Sequence, residues 1–136
     1  MSTTTRFEEI EAWKTARELT RMIYSLTDQR QFAKDFGLRN QIQRATVSVM
    51  SNIAEGFESR TQAQFLEYLG HSKASAGEGR CQLYIAMDLK YLTQEQFNQV
   101  FDLADKSSRQ LARFMDYLET RPQSRYIRDE GPEYEV

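Results

Sequence analysis

Thr93-Gln-Glu-Gln-Phe97-Asn-Gln-Val-Phe101-Asp-Leu-Ala104-Asp-Lys-Ser-Ser108-Arg-Gln-Leu111-Ala-Arg-Phe-Met115-Asp-Tyr-Leu118 decides the fold. Phe97, Phe101, Ala104, Ser108, Leu111, Met115 and Leu118 recur at spacings of 4 and 3 throughout. That period is one face of a helix packed in a bundle. Thr93 and Gln96 form the T-x-x-Q pattern of a capping box, which satisfies two of the free amides at a helix start. Asp102 with Lys106 and Asp105 with Arg109 supply opposite charges four residues apart on the outer side. The spacing predicts a helix over 93–119.

Three further segments share this grammar. Ala12, Ala16, Leu19, Ile23 and Leu26 mark a helix over 8–27, with Trp13 and Met22 widening its face. Thr27-Asp28-Gln29 ends that pattern, and Phe32 and Phe36 fall in a short connection containing Gly37. Leu38, Ile42, Ala45, Val49 and Ile53 mark a second helix over 38–57, which Gly56 ends or bends. Thr61 and Gln64 repeat the capping box and open a third helix over 61–91. Its face is Phe65, Leu69, Ser72, Ala76, Gly79, Leu83 and Ala86 or Met87. Glycine costs about 1 kcal/mol relative to alanine inside a helix, so Gly70, Gly77 and Gly79 suggest close backbone approach by a neighbour. No segment alternates with the period of a strand. The expected fold is all-α, an antiparallel up-down-up-down four-helix bundle in residues 1–119. Residues 120–136, with both prolines and several charges, are expected to be a mobile tail.

Composition narrows function mainly by exclusion. The 136 residues fit one domain, and 40% hydrophobic with 28% charged residues is ordinary for a globular chain. The formal charge of −2 disfavours binding nucleic acid through bulk charge. Met1–Arg6 lacks the apolar core of a secretory leader, and Leu83–Leu92, broken by Asp88 and Lys90, is too short to span a bilayer. A cytoplasmic protein without membrane contact is expected.

One Cys and one His leave little for catalysis or metal binding. Carboxylate di-iron bundles need Glu-x-x-His on two helices. Here Glu67 lies four residues before His71 and there is no second His. His71 is expected to be a polar residue beside a tight helix contact. Cys81 has no second Cys and only that one His to activate it, so a small half-buried side chain is expected. No phosphate-binding glycine loop occurs. The expectation is no catalytic, metal or cofactor-binding residue, no cofactor and no identified small-molecule substrate.

The second helix has one arrangement that composition does not explain. Gln41, Arg44, Ser48, Asn52, Glu55 and Ser59 recur at 3, 4, 4, 3 and 4, a polar stripe beside the apolar one. Most polar helix faces are simply solvated. This one avoids Lys and favours short hydrogen-bonding side chains, which suit a seam between helices or subunits. Arg44 and Glu55 are three turns apart, so each needs a partner on another helix or chain.

At this helix the chain resembles a bacterial family. Phe36-Gly-Leu38, Gln41-Ile-Gln-Arg44-Ala-Thr-Val-Ser48 and Ser51-Asn52-Ile-Ala-Glu55-Gly56 resemble the signature of the intervening-sequence proteins, first known as reading frames within large-subunit ribosomal RNA genes. The likeness runs from Phe7, Ile10, Trp13 and Ala16 through Phe65, Leu69, Ser72, Glu78, Gln82-Leu83 and Ala86 to Tyr91-Leu92, covering about residues 6–119. It implies a cytoplasmic four-helix bundle assembled as a ring-like homopentamer without known enzymatic activity. Accessory proteins of diversity-generating retroelements resemble the same fold, and bind nucleic acid and a reverse transcriptase through a basic pentamer surface. This chain departs from them in being net acidic, with five Lys against thirteen Arg. Arg39 with Arg60, or Arg109 with Arg113, are the candidate nucleic-acid contacts. The leading expectation is a non-enzymatic oligomeric scaffold or partner-binding protein. The alternative is an RNA- or DNA-binding accessory protein acting through those arginines.

Overall fold

A computed structural model of the chain describes residues 4–121. Of the expected 120–136 tail, all but Thr120 and Arg121 lies outside the described residues. A 3-10 turn, Phe7–Glu9, leads into α1 (Glu11–Thr27), a short α2 (Arg30–Lys34), α3 (Phe36–Phe57), α4 (Gln62–Asp88) and α5 (Gln94–Glu119). No strand occurs among the described residues. The protein is an all-α helical bundle. α1 packs against α3 and α5, and α4 packs against the same two, so the four long helices stand at the corners of a square. Gln41 meets Gln82, Ser48 meets Ser75, and Ser72 meets Val49, so higher α4 numbers lie beside lower α3 numbers and the pair runs antiparallel. No helix among the described residues is long and apolar enough to cross a membrane.

Both capping boxes form, with Thr61 and Thr93 each accepting from the amide three residues on while Gln64 and Gln96 reach back. α3 begins two residues before the expected Leu38. Asp35 makes this possible, because its Oδ1 accepts the Leu38 amide at 3.1 Å and caps the added turn. The expected connection is therefore partly helical. Phe32 on α2 is buried, whereas Phe36 and Gly37 lie in the first turn of α3. α4 stops at Asp88, short of residue 91. Lys90 adopts φ 63°, its amide bonds Met87 O at 2.9 Å, and the Tyr91 amide bonds Ala86 O at 2.9 Å. That pair of bonds is a Schellman closure, with lysine where glycine is usual.

The glycines are used differently from the sequence expectation. Gly56 lies in the last turn of α3, which runs one residue further to Phe57. An added Cβ there would sit 2.8 Å from Tyr68 Cβ and 2.8 Å from Phe65 Cδ1. This is where α3 and α4 approach closely. By contrast, a Cβ on Gly70 would have Met115 Cε nearest at 3.9 Å, one on Gly77 the tip of Arg80 at 3.7 Å, and one on Gly79 nothing within 4 Å.

The expected faces of α1, α3 and α4 are buried. On α5 the face is rotated. Val100, Ala104, Ser107, Leu111, Phe114 and Leu118 point inward, while Phe97, Phe101 and Met115 are half-buried at its edge. Both sets have 4-and-3 spacing and share Ala104, Leu111 and Leu118, so periodicity alone does not choose between them. Phe97 and Phe101 instead stack together and contact Tyr84 of α4 at 5.4 Å between ring centroids. On the outer side Asp105 and Arg109 pair at 3.2 Å. No ion pair joins Asp102 to Lys106.

The core divides in two along the bundle. One cluster gathers Ile10, Ala16, Ile53, Phe57, Phe65, Leu111 and Phe114 with their neighbours. The other gathers Leu19, Ile23, Phe32, Ile42, Leu83, Val100 and Ala104. Small and polar residues lie at the level between them: Thr20, whose hydroxyl donates to Thr46 O at 3.1 Å, Gly79, Ser107, and Ser108, which accepts from Arg80.

Candidate functional site

α3 positions the polar stripe, and its rotation relative to α4 sorts the members. Ser48 Oγ lies 2.9 Å from Ser75 Oγ of α4. Asn52 Nδ2 donates to Ser48 O at 2.8 Å and to Ser48 Oγ at 2.9 Å. Gln82 Nε2 donates to Gln41 Oε1 at 3.4 Å. Gln41 and Ser48 thus bond across the α3–α4 seam and Asn52 joins it through Ser48 of its own helix, while Ser59 donates to Gly56 O within its own turn. Arg44 and Glu55 do not join them. At 100° per residue Arg44 lies roughly 60° round from Gln41 towards solvent, and Glu55 shares its side. Both are exposed and make no ion pair among the described residues.

Beyond the stripe, α3 and α1 enclose an open groove of about 570 Å³, with Tyr24 on one wall and Asn40, Arg44, Val47 and Ser51 on the other. It continues into a hollow of about 300 Å³ beside Asp28 and Arg39. Gln43 Nε2, donating to Thr27 Oγ1 at 2.9 Å, ties the two helices beneath it. Tyr24 and Val47 remain 46% and 40% exposed, so the groove offers apolar surface between polar groups.

The four arginines expected to touch nucleic acid do not form one patch. Arg39 lies in the first turn of α3 and Arg60 three residues past its last, at opposite ends of a helix roughly 33 Å long. Arg39 is half-buried and donates to Ala33 O at 3.2 Å. Arg109 and Arg113 are exposed one turn apart on α5, with Arg109 paired to Asp105. His71 and Cys81 both face outward on α4, so His71 is not at a tight helix contact and Cys81 is not half-buried. Gln82 and Leu83 take the inward positions that the Cys81 register would need. Among the described residues no group of three or more His, Cys, Asp or Glu is placed to hold a metal ion.

Two residues escaped the sequence reading. Tyr24 lies off the apolar stripe of α1 and lacks periodic partners. Asp35 was readable, being an Asp three residues before a buried leucine. Its Oδ2 also accepts the Tyr91 hydroxyl at 2.9 Å, and this bond raises the Tyr91 pKa above its ordinary value.

Known proteins place the chain. No curated protein matches it in sequence. A crystal structure at 1.70 Å of a protein of unknown function from Bacteroides thetaiotaomicron, from the S23 ribosomal protein family, superposes with a TM-score of 0.71 at 21% identity, over 77% of this chain and 95% of that one. At that identity the likeness speaks for the fold. The model of the 23S rRNA-intervening sequence protein family matches residues 8–113. That span takes in the signature on α3, the groove and most of α5, and the protein belongs to this family.

Proposed function

We propose that the protein is a non-enzymatic scaffold that works as a homo-oligomer, a closed homopentamer, and binds a protein partner on the assembled surface. The observation that carries the reading is apolar surface left on the outside of α4. Tyr84, Ile85 and Leu89 are 55%, 44% and 50% exposed within two turns, and Phe36 at the start of α3 is 66% exposed. Clustered exposed apolar side chains mark interaction surfaces. A cyclic ring joins two different surfaces of each copy. Asp35 bonds Tyr91, so Phe36 lies at the same end of the bundle as Leu89, and together they supply one of the two. Sedimentation at micromolar protein tests this, with a species five times the 16.0 kDa chain expected. Ile85→Glu with Leu89→Glu is expected to give monomers of unchanged helicity. A parent chain that sediments as a monomer overturns the reading.

Nucleic-acid binding through Arg39, Arg60, Arg109 and Arg113 finds less support. Separation of the first pair and the Asp105 contact of Arg109 leave no contiguous cationic surface among these four. A steep fall of RNA affinity with salt, abolished by Arg109→Ala and Arg113→Ala, would reverse this ranking.

A further inference from the structure

We infer that the α1–α3 groove is the docking site of an acidic peptide, the chain's own residues 129–136, bound in cis. Arg44 lines the groove, and Arg21 lies one turn before Tyr24 on the outside of α1. Both are exposed, and neither makes an ion pair among the described residues. Arg39 borders the adjoining hollow, where Asp28 is the one carboxylate among the described lining residues. Cations without an ion pair among the described residues, beside exposed Tyr24 and Val47, suit a ligand that is anionic and partly apolar.

Residues 129–136, Asp-Glu-Gly-Pro-Glu-Tyr-Glu-Val, have that chemistry. Asp129, Glu130, Glu133 and Glu135 stand without a Lys or Arg among them, and Tyr134 and Val136 supply apolar surface. Elsewhere the bundle is less suited to them. Residues 62–119 hold eight acidic and six basic side chains, whereas 11–57 hold five acidic and seven basic.

Connectivity permits the contact. Leu118 O accepts from Gln62 Nε2 at 2.7 Å, and Leu118 shares a core cluster with Ile10 and Phe57. The chain therefore leaves α5 at the end of the bundle where α1 begins and α3 finishes. From there to Asn40 is roughly 26 Å along α3, whereas the fifteen residues 122–136 reach up to about 50 Å when extended. A tether of this length gives a local concentration on the order of millimolar, so modest contacts suffice. Docking uses a face separate from the apolar surface of α4, so it stands or falls apart from the oligomer.

Disulfide trapping in the full chain tests it. In a Cys81→Ser background, Asn40→Cys and Val136→Cys are combined, and an equal mixture of isotope-labelled and unlabelled protein is oxidised mildly. The expected product is a disulfide between the two introduced thiols of one chain, so that both halves of the link carry the same label. Its rate is expected to fall roughly tenfold in Arg21→Glu with Arg44→Glu, and to recover when Glu133→Arg and Glu135→Arg are added. Such recovery is a readout that local unfolding does not mimic. Links between differently labelled chains would place the segment in a second copy's groove and overturn docking in cis. An unchanged rate in the charge-reversed chain, or no link at all, also overturns the proposal. Arg44-dependent binding of a short single-stranded RNA at physiological salt, with the disulfide rate unaffected by charge, would assign the groove to nucleic acid instead.

Discussion

Asp35 serves two places at once, with one carboxylate oxygen capping α3 and the other holding the Tyr91 hydroxyl beyond the end of α4. The hydrogen bond to Asp35 leads the causes that raise the Tyr91 pKa, with desolvation and the Asp35 charge adding to it. A raised tyrosine pKa means the neutral form is favoured in the folded state. The bond therefore contributes fully below pH 10, and its contribution is lost as pH rises through the raised value. Alkaline ultraviolet titration, with Tyr91→Phe as the difference, is expected to show this residue ionising above the usual range. Asp35→Asn keeps a good cap and is expected to bring the transition back towards 10. Two glycines make an opposed pair of predictions. Gly56→Ala forces a methyl against Tyr68 and Phe65 and is expected to cost roughly 1–3 kcal/mol. Gly79→Ala meets nothing and is expected to gain up to about 1 kcal/mol of helix propensity. Thermal melts of the two variants check both signs. A glycine's cost is legible in a sequence, but which glycine a neighbouring helix needs depends on its distance.

For the elements, the seam between α3 and α4 gives the sharpest expectation. Ser48→Ala breaks the bond across the seam to Ser75 and Asn52→Ala the bonds that hold Ser48, and each is expected to lower stability by about 1 kcal/mol. Arg44→Ala and Glu55→Ala, at exposed residues with no ion pair among the described residues, are expected to stay within about 0.5 kcal/mol of the parent. Urea denaturation of the four single variants separates the groups. Equal losses in all four would show that Arg44 and Glu55 are held by a neighbouring copy. At the end of α4, Lys90→Gly relieves a left-handed lysine and is expected to raise stability by roughly 0.5–1 kcal/mol, seen as a melting point higher by a few degrees. Helix type, the two capping boxes and three of the four core faces were legible because period and cap chemistry are local. The α5 face was not, since two 4-and-3 stripes share three residues and only packing against α1 and α4 chooses between them. The groove was illegible for a similar reason. Tyr24 and Val47 are isolated in their own helices and become neighbours only when α1 and α3 pack.

For the whole molecule, charge is uneven: the α1–α3 half carries the excess of arginine and the α4–α5 half the excess of carboxylate. With a formal charge of −2 overall, affinity for arbitrary RNA or duplex is expected to be weak at physiological salt. Fluorescence anisotropy with unrelated oligonucleotides checks this, and micromolar or tighter binding would contradict it.

The division of the core into two clusters bears on how the molecule opens. Each cluster draws on all four long helices, so neither can melt by releasing one helix. Between them lie a glycine with an empty flank and several hydroxyls, which transmit packing poorly compared with interlocked leucines. Native-state amide exchange should then sort the protected amides into two sets along the bundle axis, each set crossing helix boundaries. The end holding Phe57, Phe65 and Phe114, whose rings meet edge to face, should exchange last.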